Sequence, residues 1–252
     1  MNPLRAIAVN RERWESGYPF ALPAFAQLER LDFPAAVTLF AGENGSGKST
    51  LLEGMARALD YPLTGGSNNM KVAGSRQTET MDRLARALRL QWSKSRVNSG
   101  FFLRAESMHQ VADYLDEMAA EDGSALRPYG GRSLHEQSHG ESFLATIQHR
   151  CSSPGIYLFD EPEAALSPAR QLTLLAELHA ATRKPGRQFI IATHSPILLA
   201  FPGAVIYQFT PLGIGRVAYE ETSSYQVMRD FLASPERMLR ELLIPKTGRF
   251  EE

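Results

Sequence analysis

Val37-Thr-Leu-Phe-Ala-Gly42-Glu-Asn-Gly-Ser-Gly-Lys48-Ser49-Thr50 is the stretch on which the reading of this sequence turns. An apolar run of strand length enters the pattern G-x-x-x-x-G-K-[ST], and the helical run Thr50-Leu-Leu-Glu-Gly-Met leaves it. Glycines let such a turn bend until its N–H groups face inward, where they can surround phosphate oxygens. The start of the following helix adds the positive end of its dipole. The expected phosphate contacts are Gly42, Asn44, Gly45, Ser46, Gly47, Lys48, Ser49 and Thr50, with Lys48 neutralising β- and γ-phosphate charge. The Ser49 hydroxyl is placed to hold Mg²⁺. A ligand-free glycine turn is the bland alternative, and the correct strand and helix flanks argue against it.

Outward from that loop, further apolar runs bounded by turn residues lie at Gly100–Leu103, Ile156–Phe159, Gln188–Thr193 and Ala204–Phe209. Helical periodicity marks Ser49–Leu59, Met81–Trp92, Met108–Ala120, Ser142–Arg150 and Pro168–Thr182. Such alternation predicts an α/β fold with a mainly parallel sheet. Residues 64–137 are dominated by helical patterns and read as a helical lobe inserted into a single domain spanning 1–252. Residues 220–252 read as C-terminal helices closing on the core, over Tyr225–Leu232 and Pro235–Leu243.

The run Ile156-Tyr-Leu-Phe ends in Asp160-Glu161-Pro162. A buried strand delivers its last side chains to the carboxyl edge of the sheet, where α/β ligands bind. Asp160 is suited to hold Mg²⁺, and Glu161 to polarise an attacking water. One acid serves the metal while the other must accept a proton. Taken alone, such a pair is commonly a solvated strand end; beside a phosphate loop the chemical reading prevails.

Composition limits the remaining classes. The chain has 252 residues, 43% of them hydrophobic and 22% charged, which is enough apolar material for a sizeable core. Its 27 Lys and Arg against 28 Asp and Glu give a net charge of −1, favouring neither nucleic acid nor membrane. The single cysteine, Cys151, excludes a CxxC metal or redox pair and fits a cytoplasmic protein. Phe189–Tyr207 has membrane-span length, but Pro196 and Pro202-Gly203 break it, so a strand, a short helix and a second strand are expected and no membrane insertion. Within that net charge, Lys71–Arg104 holds eight basic residues against Glu79 and Asp82. Ala105–Asp122 then holds six acids and no Lys or Arg. A basic segment can track nucleic-acid phosphates; a solvated helix face paired with its acidic neighbour is the preferred reading.

Four further pieces stand in the order and spacing of ABC-type ATPases, which this sequence resembles. Ser138-His139-Gly140-Glu141 resembles their signature motif, usually Ser-Gly-Gly-Gln. Ala164-Ala165-Leu166-Ser167 stands where their D-loop follows the Glu, and His194 where their switch histidine follows a strand. The resemblance spans about Val37 to Pro196. Its wording, notably Phe-Leu-Arg-Ala-Glu-Ser and Asp-Glu-Pro-Glu-Ala-Ala-Leu-Ser-Pro, is similar to small stand-alone bacterial AAA/ABC ATPases on the SMC-like and OLD-like side. It implies a P-loop NTPase fold, ATP and Mg²⁺ as ligands, and Glu161, His194 and Lys48 as catalytic residues. It implies that Ser138, Gly140 and Glu141 meet nucleotide bound by a second copy, in an ATP-dependent homodimer that switches an unidentified protein partner. Alternatives are an ATP-timed binding module in a repair or phage-defence complex, and the ATPase subunit of a transporter.

The departures from the family pattern are specific. His139 replaces a signature glycine, Glu141 replaces Gln, and Ser167 stands where many relatives have Asp. No Gln marks the Q-loop; Glu106 occupies its neighbourhood, either beside Mg²⁺ or capping the helix that begins near Met108. Trp14, Tyr18 and Phe20 lie where relatives stack an aromatic on adenine, and any of them can equally be core.

Overall fold

The computed structural model describes residues 2–63, 76–94, 97, 99–121, 126–127, 131–136 and 139–243. In chain order the elements are β1 (Leu4–Val9), β2 (Arg30–Asp32), β3 (Val37–Ala41), α1 (Lys48–Ala58), α2 (Arg76–Ala87), β4 (Leu88–Trp92) and β5 (Gly100–Arg104). They continue with α3 (Met108–Glu121), α4 (His139–Arg150), β6 (Gly155–Asp160), α5 (Pro168–Thr182), β7 (Arg187–Ala192) and α6 (Pro196–Leu199). The last are β8 (Val205–Thr210), β9 (Gly213–Val217), α7 (Ser223–Ala233) and α8 (Pro235–Leu243).

Six strands form the main sheet in the order β5-β6-β7-β3-β8-β9. The first five run parallel and β9 closes the edge antiparallel to β8. Each central strand is buried on both faces and sends alternate side chains to two cores. Leu39, Phe101, Tyr157, Phe159, Phe189 and Ile191 join α3, α4 and α5 on one face. Phe40, Phe102, Ile156, Leu158 and Ile190 face the other way. There they meet Leu51, Leu52 and Met55 of α1, together with Leu4 and Ile7 of β1. So α1 lies between the main sheet and a smaller antiparallel sheet ordered β2-β1-β4. Gln188, wholly buried in β7, fastens β1 by accepting from Leu4 N and donating to Leu4 O, both at 2.9 Å.

The segment 64–137 departs from the expected helical lobe. Its described residues include α2, α3 and the strand expected near Gly100, here β5 paired with β6, but also the unexpected β4, paired with β1. The helix expected over Met81–Trp92 stops at Ala87. Leu88-Arg-Leu-Gln-Trp alternates apolar and polar residues, and pairing with β1 satisfies its backbone in extended form. The terminal helices depart as well. Neither α7 nor α8 buries a residue, and Val227, Leu232, Leu242 and Leu243 are exposed, while the start of α7 is tied to β8 through Ser223 Oγ and Gln208 Nε2 at 3.3 Å; residues 244–252 lie outside the described residues. Phe189–Tyr207 resolves into the end of β7, α6 and the start of β8. Among the described residues, no helix is long and apolar enough to cross a membrane.

Candidate functional site

Strand register assembles the site. Arg104, Asp160, Ala192 and Phe40 stand in one row across β5, β6, β7 and β3. One residue beyond that row the chains carry Glu161, Thr193 and Ala41, at the carboxyl edge where a parallel sheet gathers its ligand groups. Thr193 N–H donates to Phe40 O (3.0 Å), and Glu161 N–H to Ala192 O (2.9 Å), so the strand ends are locked together.

The phosphate loop follows Ala41. Gly42, Gly45 and Gly47 have φ of 145°, 77° and 101°, which side-chain-bearing residues rarely adopt. A Cβ on Gly42 would lie 2.7 Å from Phe209 O, so β8 crowds the loop where it leaves β3. Glu43, Asn44 and Gly45 are exposed, while Ser49 and Thr50 are half-buried in the first turn of α1. Lys48 is 3% exposed. Its Nζ donates to Gly42 O (2.7 Å) and Glu43 O (2.9 Å), so its charge is held inside the loop by neutral acceptors. Burial pushes this ammonium below its ordinary range, against the opposing pull of Glu161 and Asp160.

On the acid side, Asp160 Oδ2 accepts from Arg104 Nε at 2.9 Å, with Nη2 at 2.8 Å. Arg104 also pairs with Glu53, a buried residue of α1. Burial works to lower the Arg104 guanidinium, but the charges of Asp160 and Glu53 more than offset it and hold it above its ordinary value. Glu161 follows in the left-handed region at φ 47°, ψ 54°, an uncommon state for a residue with a Cβ. Burial, then the neighbouring Asp160 charge, raises its carboxyl above the usual carboxylate range, with Lys48 and His194 opposing. His194 follows β7, 49% exposed at its side chain, with Nδ1 3.2 Å from Glu163 Oε1 and 4.0 Å from Glu161 Oε1.

The residues present fit a magnesium nucleotide. Asp160 Oδ1 and Ser46 Oγ are buried without a hydrogen-bond partner, one a carboxylate oxygen of the type that divalent cations take and the other a hydroxyl inside the loop. No cluster of three or more His, Cys, Asp or Glu suited to hold a metal by itself occurs among the described residues.

The signature-like segment is described in part: Ser138 lies outside the described residues. Gly140 is buried at the start of α4, and a Cβ there would lie 2.8 Å from Ala165 O, so this turn packs directly on the one after Glu161. Glu141 Oε1 accepts from Arg170 at 2.9 Å. Glu106 is exposed in the turn 105–107, and the β5 residue that reaches Asp160 is Arg104. Of the three aromatics, Phe20 is buried and Trp14 packs edge-on against Phe20 and Phe25. Tyr18 is 60% exposed, with its hydroxyl 3.3 Å from Thr50 Oγ1 beside the phosphate loop. Cys151 is buried, and burial pushes its thiol up, far from a reactive thiolate. Sequence reasoning missed Arg104, Glu53 and Glu163, whose charges acquire partners only through strand register and the turn after β6.

A family model described as "AAA domain, putative AbiEii toxin, Type IV TA system" matches residues 132–200. A second, described as "AAA domain", matches residues 23–98. Among solved structures, CbiO1 from Clostridium perfringens, part of the ABC transporter complex CbiONQ, is 18% identical. The alignment covers 96% of this chain and 99% of that one, with a TM-score of 0.53. "A putative metal-chelate type ABC transporter" in an inward-facing conformation is also 18% identical, over 90% of this chain and 88% of that one, at TM-score 0.50. No curated protein matches the sequence. Each AAA-domain model matches less than half of this chain, and the likeness to the solved ABC transporter structures is one of fold.

Proposed function

We propose that two copies of this chain close head-to-tail on two ATP–Mg²⁺ and part after hydrolysis, a nucleotide-driven switch read by a protein partner. The observation that carries the reading is the pairing of two features. A phosphate loop and an acid pair share one sheet edge, while the signature-like start of α4 rests on the turn after Glu161. In the family the sequence resembles, that helix start serves the nucleotide of the opposite copy.

Phosphate oxygens would meet the backbone of Gly42–Lys48 and the Lys48 ammonium, with Ser49 and Asp160 holding Mg²⁺. Bound there, the ion neutralises charge on the β- and γ-phosphates. Glu161 accepts the proton of the attacking water, and its raised affinity for protons suits a general base. His194 stands against the γ-phosphate. Tyr18 offers its exposed ring to adenine, being the one of the three aromatics not committed to packing.

Changing Glu161 to Gln removes the base and keeps the shape. The variant is expected to run as a dimer on size exclusion with ATP–Mg²⁺ and as a monomer without it, with turnover reduced about 10²–10⁴-fold. A variant that stays monomeric at saturating nucleotide overturns the sandwich. A second reading, that the cycle times an effector in a toxin or defence complex, draws on the description of the model matching residues 132–200. Under that reading the isolated chain turns over slowly and its rate changes when the effector binds.

A further inference from the structure

The third acid of Asp160-Glu161-Pro162-Glu163 has the most hydrogen-bond donors around it. Glu163 is 6% exposed at its side chain, although no arginine or lysine neutralises it among the described contacts. Its Oε1 accepts from Thr193 Oγ1 and from His194 N, each at 2.7 Å, and from Ser195 N at 3.2 Å. His194 Nδ1 lies 3.2 Å from the same oxygen. Burying a carboxylate is costly unless hydrogen bonds compensate, so this many donors on one oxygen defines a built contact.

The charge of Glu163 biases a proton on the ring. Nδ1 stands 3.2 Å from a carboxylate oxygen in ion-pair contact, and a lone pair there would face that oxygen, so the hydrogen is favoured on Nδ1. In the neutral imidazole, Nδ1–H then leaves Nε2 as the unprotonated nitrogen, on the side of the ring away from Glu163. Glu163 therefore favours the Nδ1–H tautomer, and its bonds from Thr193 Oγ1, His194 N and Ser195 N hold the loop that carries the imidazole. Glu161 Oε1, at 4.0 Å, is beyond hydrogen-bond reach and does not substitute. The left-handed conformation of Glu161 turns the chain so that both Glu161 and Glu163 come back towards His194.

Glu163 sits in the turn 162–165, whose Ala165 carbonyl abuts Gly140 at the start of α4. The same loop is tied again by Ser195 Oγ donating to Gln171 of α5 at 2.5 Å, while Gln171 donates to Leu166 O at 3.0 Å. We infer that Glu163 is a positioning residue that couples the turn 162–165 to His194, so that displacement of that turn at a closing interface is passed to the imidazole. The inference rests on the proposed dimer only for the source of the displacement. The hold on His194 exists within one chain.

The test begins without nucleotide. Long-range ¹H–¹⁵N spectra of the neutral histidines, with His194 assigned from the loss of its signals in His194→Ala, are expected to show the Nδ1–H tautomer. Glu163→Ala should shift His194 towards Nε2–H, and Glu163→Gln, whose carbonyl can still accept, should keep it. In turnover, Glu163→Ala should lose about 10–100-fold in kcat, as when other carboxylates that orient a histidine are removed, with KM for ATP within about twofold. The double variant with His194→Ala should be no slower than His194→Ala alone. If Glu163→Ala unfolds, Glu163→Asp, one methylene too short, replaces it with the same expected losses. An Nε2–H tautomer in the parent, or additive losses in the double variant, overturns the coupling. Failure of the Glu161→Gln dimer with the tautomer result intact would instead overturn only the sandwich.

Discussion

The two halves of the site hold their charges by opposite means. On the phosphate-loop side, Lys48 is buried and its Nζ donates to the backbone carbonyls of Gly42 and Glu43. On the acid side, Asp160 is paired with Arg104, and Glu163 is held by backbone amides and the Thr193 hydroxyl. Neutral acceptors leave a cation's attraction for an anion largely unspent, so the lysine half is prepared for phosphate. The acid half draws on partners within the protein, which makes it part of the fold's stability, although Asp160 Oδ1 and Glu163 Oε2 are buried without a hydrogen-bond partner. Binding and folding should therefore separate when each half is broken.

Lys48→Ala carries the largest expected effect on ligand. Removing a charge that meets phosphate through hydrogen bonds worth about 1.5–3 kcal/mol each should weaken ATP binding by roughly 10²-fold or more. Stability should change less than when a buried charge is stranded, because the groups released are two neutral carbonyls. Titration with a fluorescent ATP analogue beside a thermal melt reads both quantities. A variant that melts far below the parent would mean that the loop depends on Lys48 for its shape.

Arg104→Ala should do the reverse. It takes the Arg104 cation away from Glu53 and Asp160, both nearly buried, and breaking such a pair costs about 3–5 kcal/mol. For a chain of this size each 1 kcal/mol moves Tm by about 2–4 °C, so the midpoint should fall by roughly 6–20 °C. Adding Glu53→Gln should recover part of the loss by neutralising one of the two acids that Arg104 faced. A melting point unchanged in Arg104→Ala would show that water already compensates the two acids.

The same division separates what was legible in the sequence from what was not. The phosphate loop declares itself because its conformation requires fixed residue types at fixed spacing. The central strands are legible because burial on both faces leaves them as apolar runs. The small sheet was hidden. β1 shows only one exposed polar residue among apolar neighbours, β2 is three residues long, and β4 prolongs a helical pattern without a break. Their pairing, Ala6 to Asp32 and Ile7 to Leu90, is set by distant contacts rather than by local pattern. Arg104, Glu53 and Glu163 were hidden for a related reason. A charged residue in isolation reads as solvated, and only register reveals its partner. In α7 and α8 the periodicity was read correctly, but periodicity does not say which way the apolar face will point.

The smallest expected effect comes from Glu161, whose carboxyl lacks, among the described contacts, the close cation of Asp160 and the amide donors of Glu163. Burial and the Asp160 charge disfavour its ionised form, so its carboxyl in the folded chain binds a proton more tightly than in the unfolded chain. An acid with a raised folded-state pKa weakens the fold when both states are ionised, and the penalty fades as pH falls through the folded value. Glu161→Gln should therefore melt slightly above the parent at neutral pH in the absence of nucleotide. The group is partly exposed and its repulsion screened, so the gain should not exceed about 1 kcal/mol, or roughly 2–4 °C. On acidification the two melting points should converge, beginning above the ordinary carboxylate range, because the parent now takes up the proton that the amide replaces. Equal melting points at neutral pH would place Glu161 among the compensated acids and remove the contrast within this half of the site.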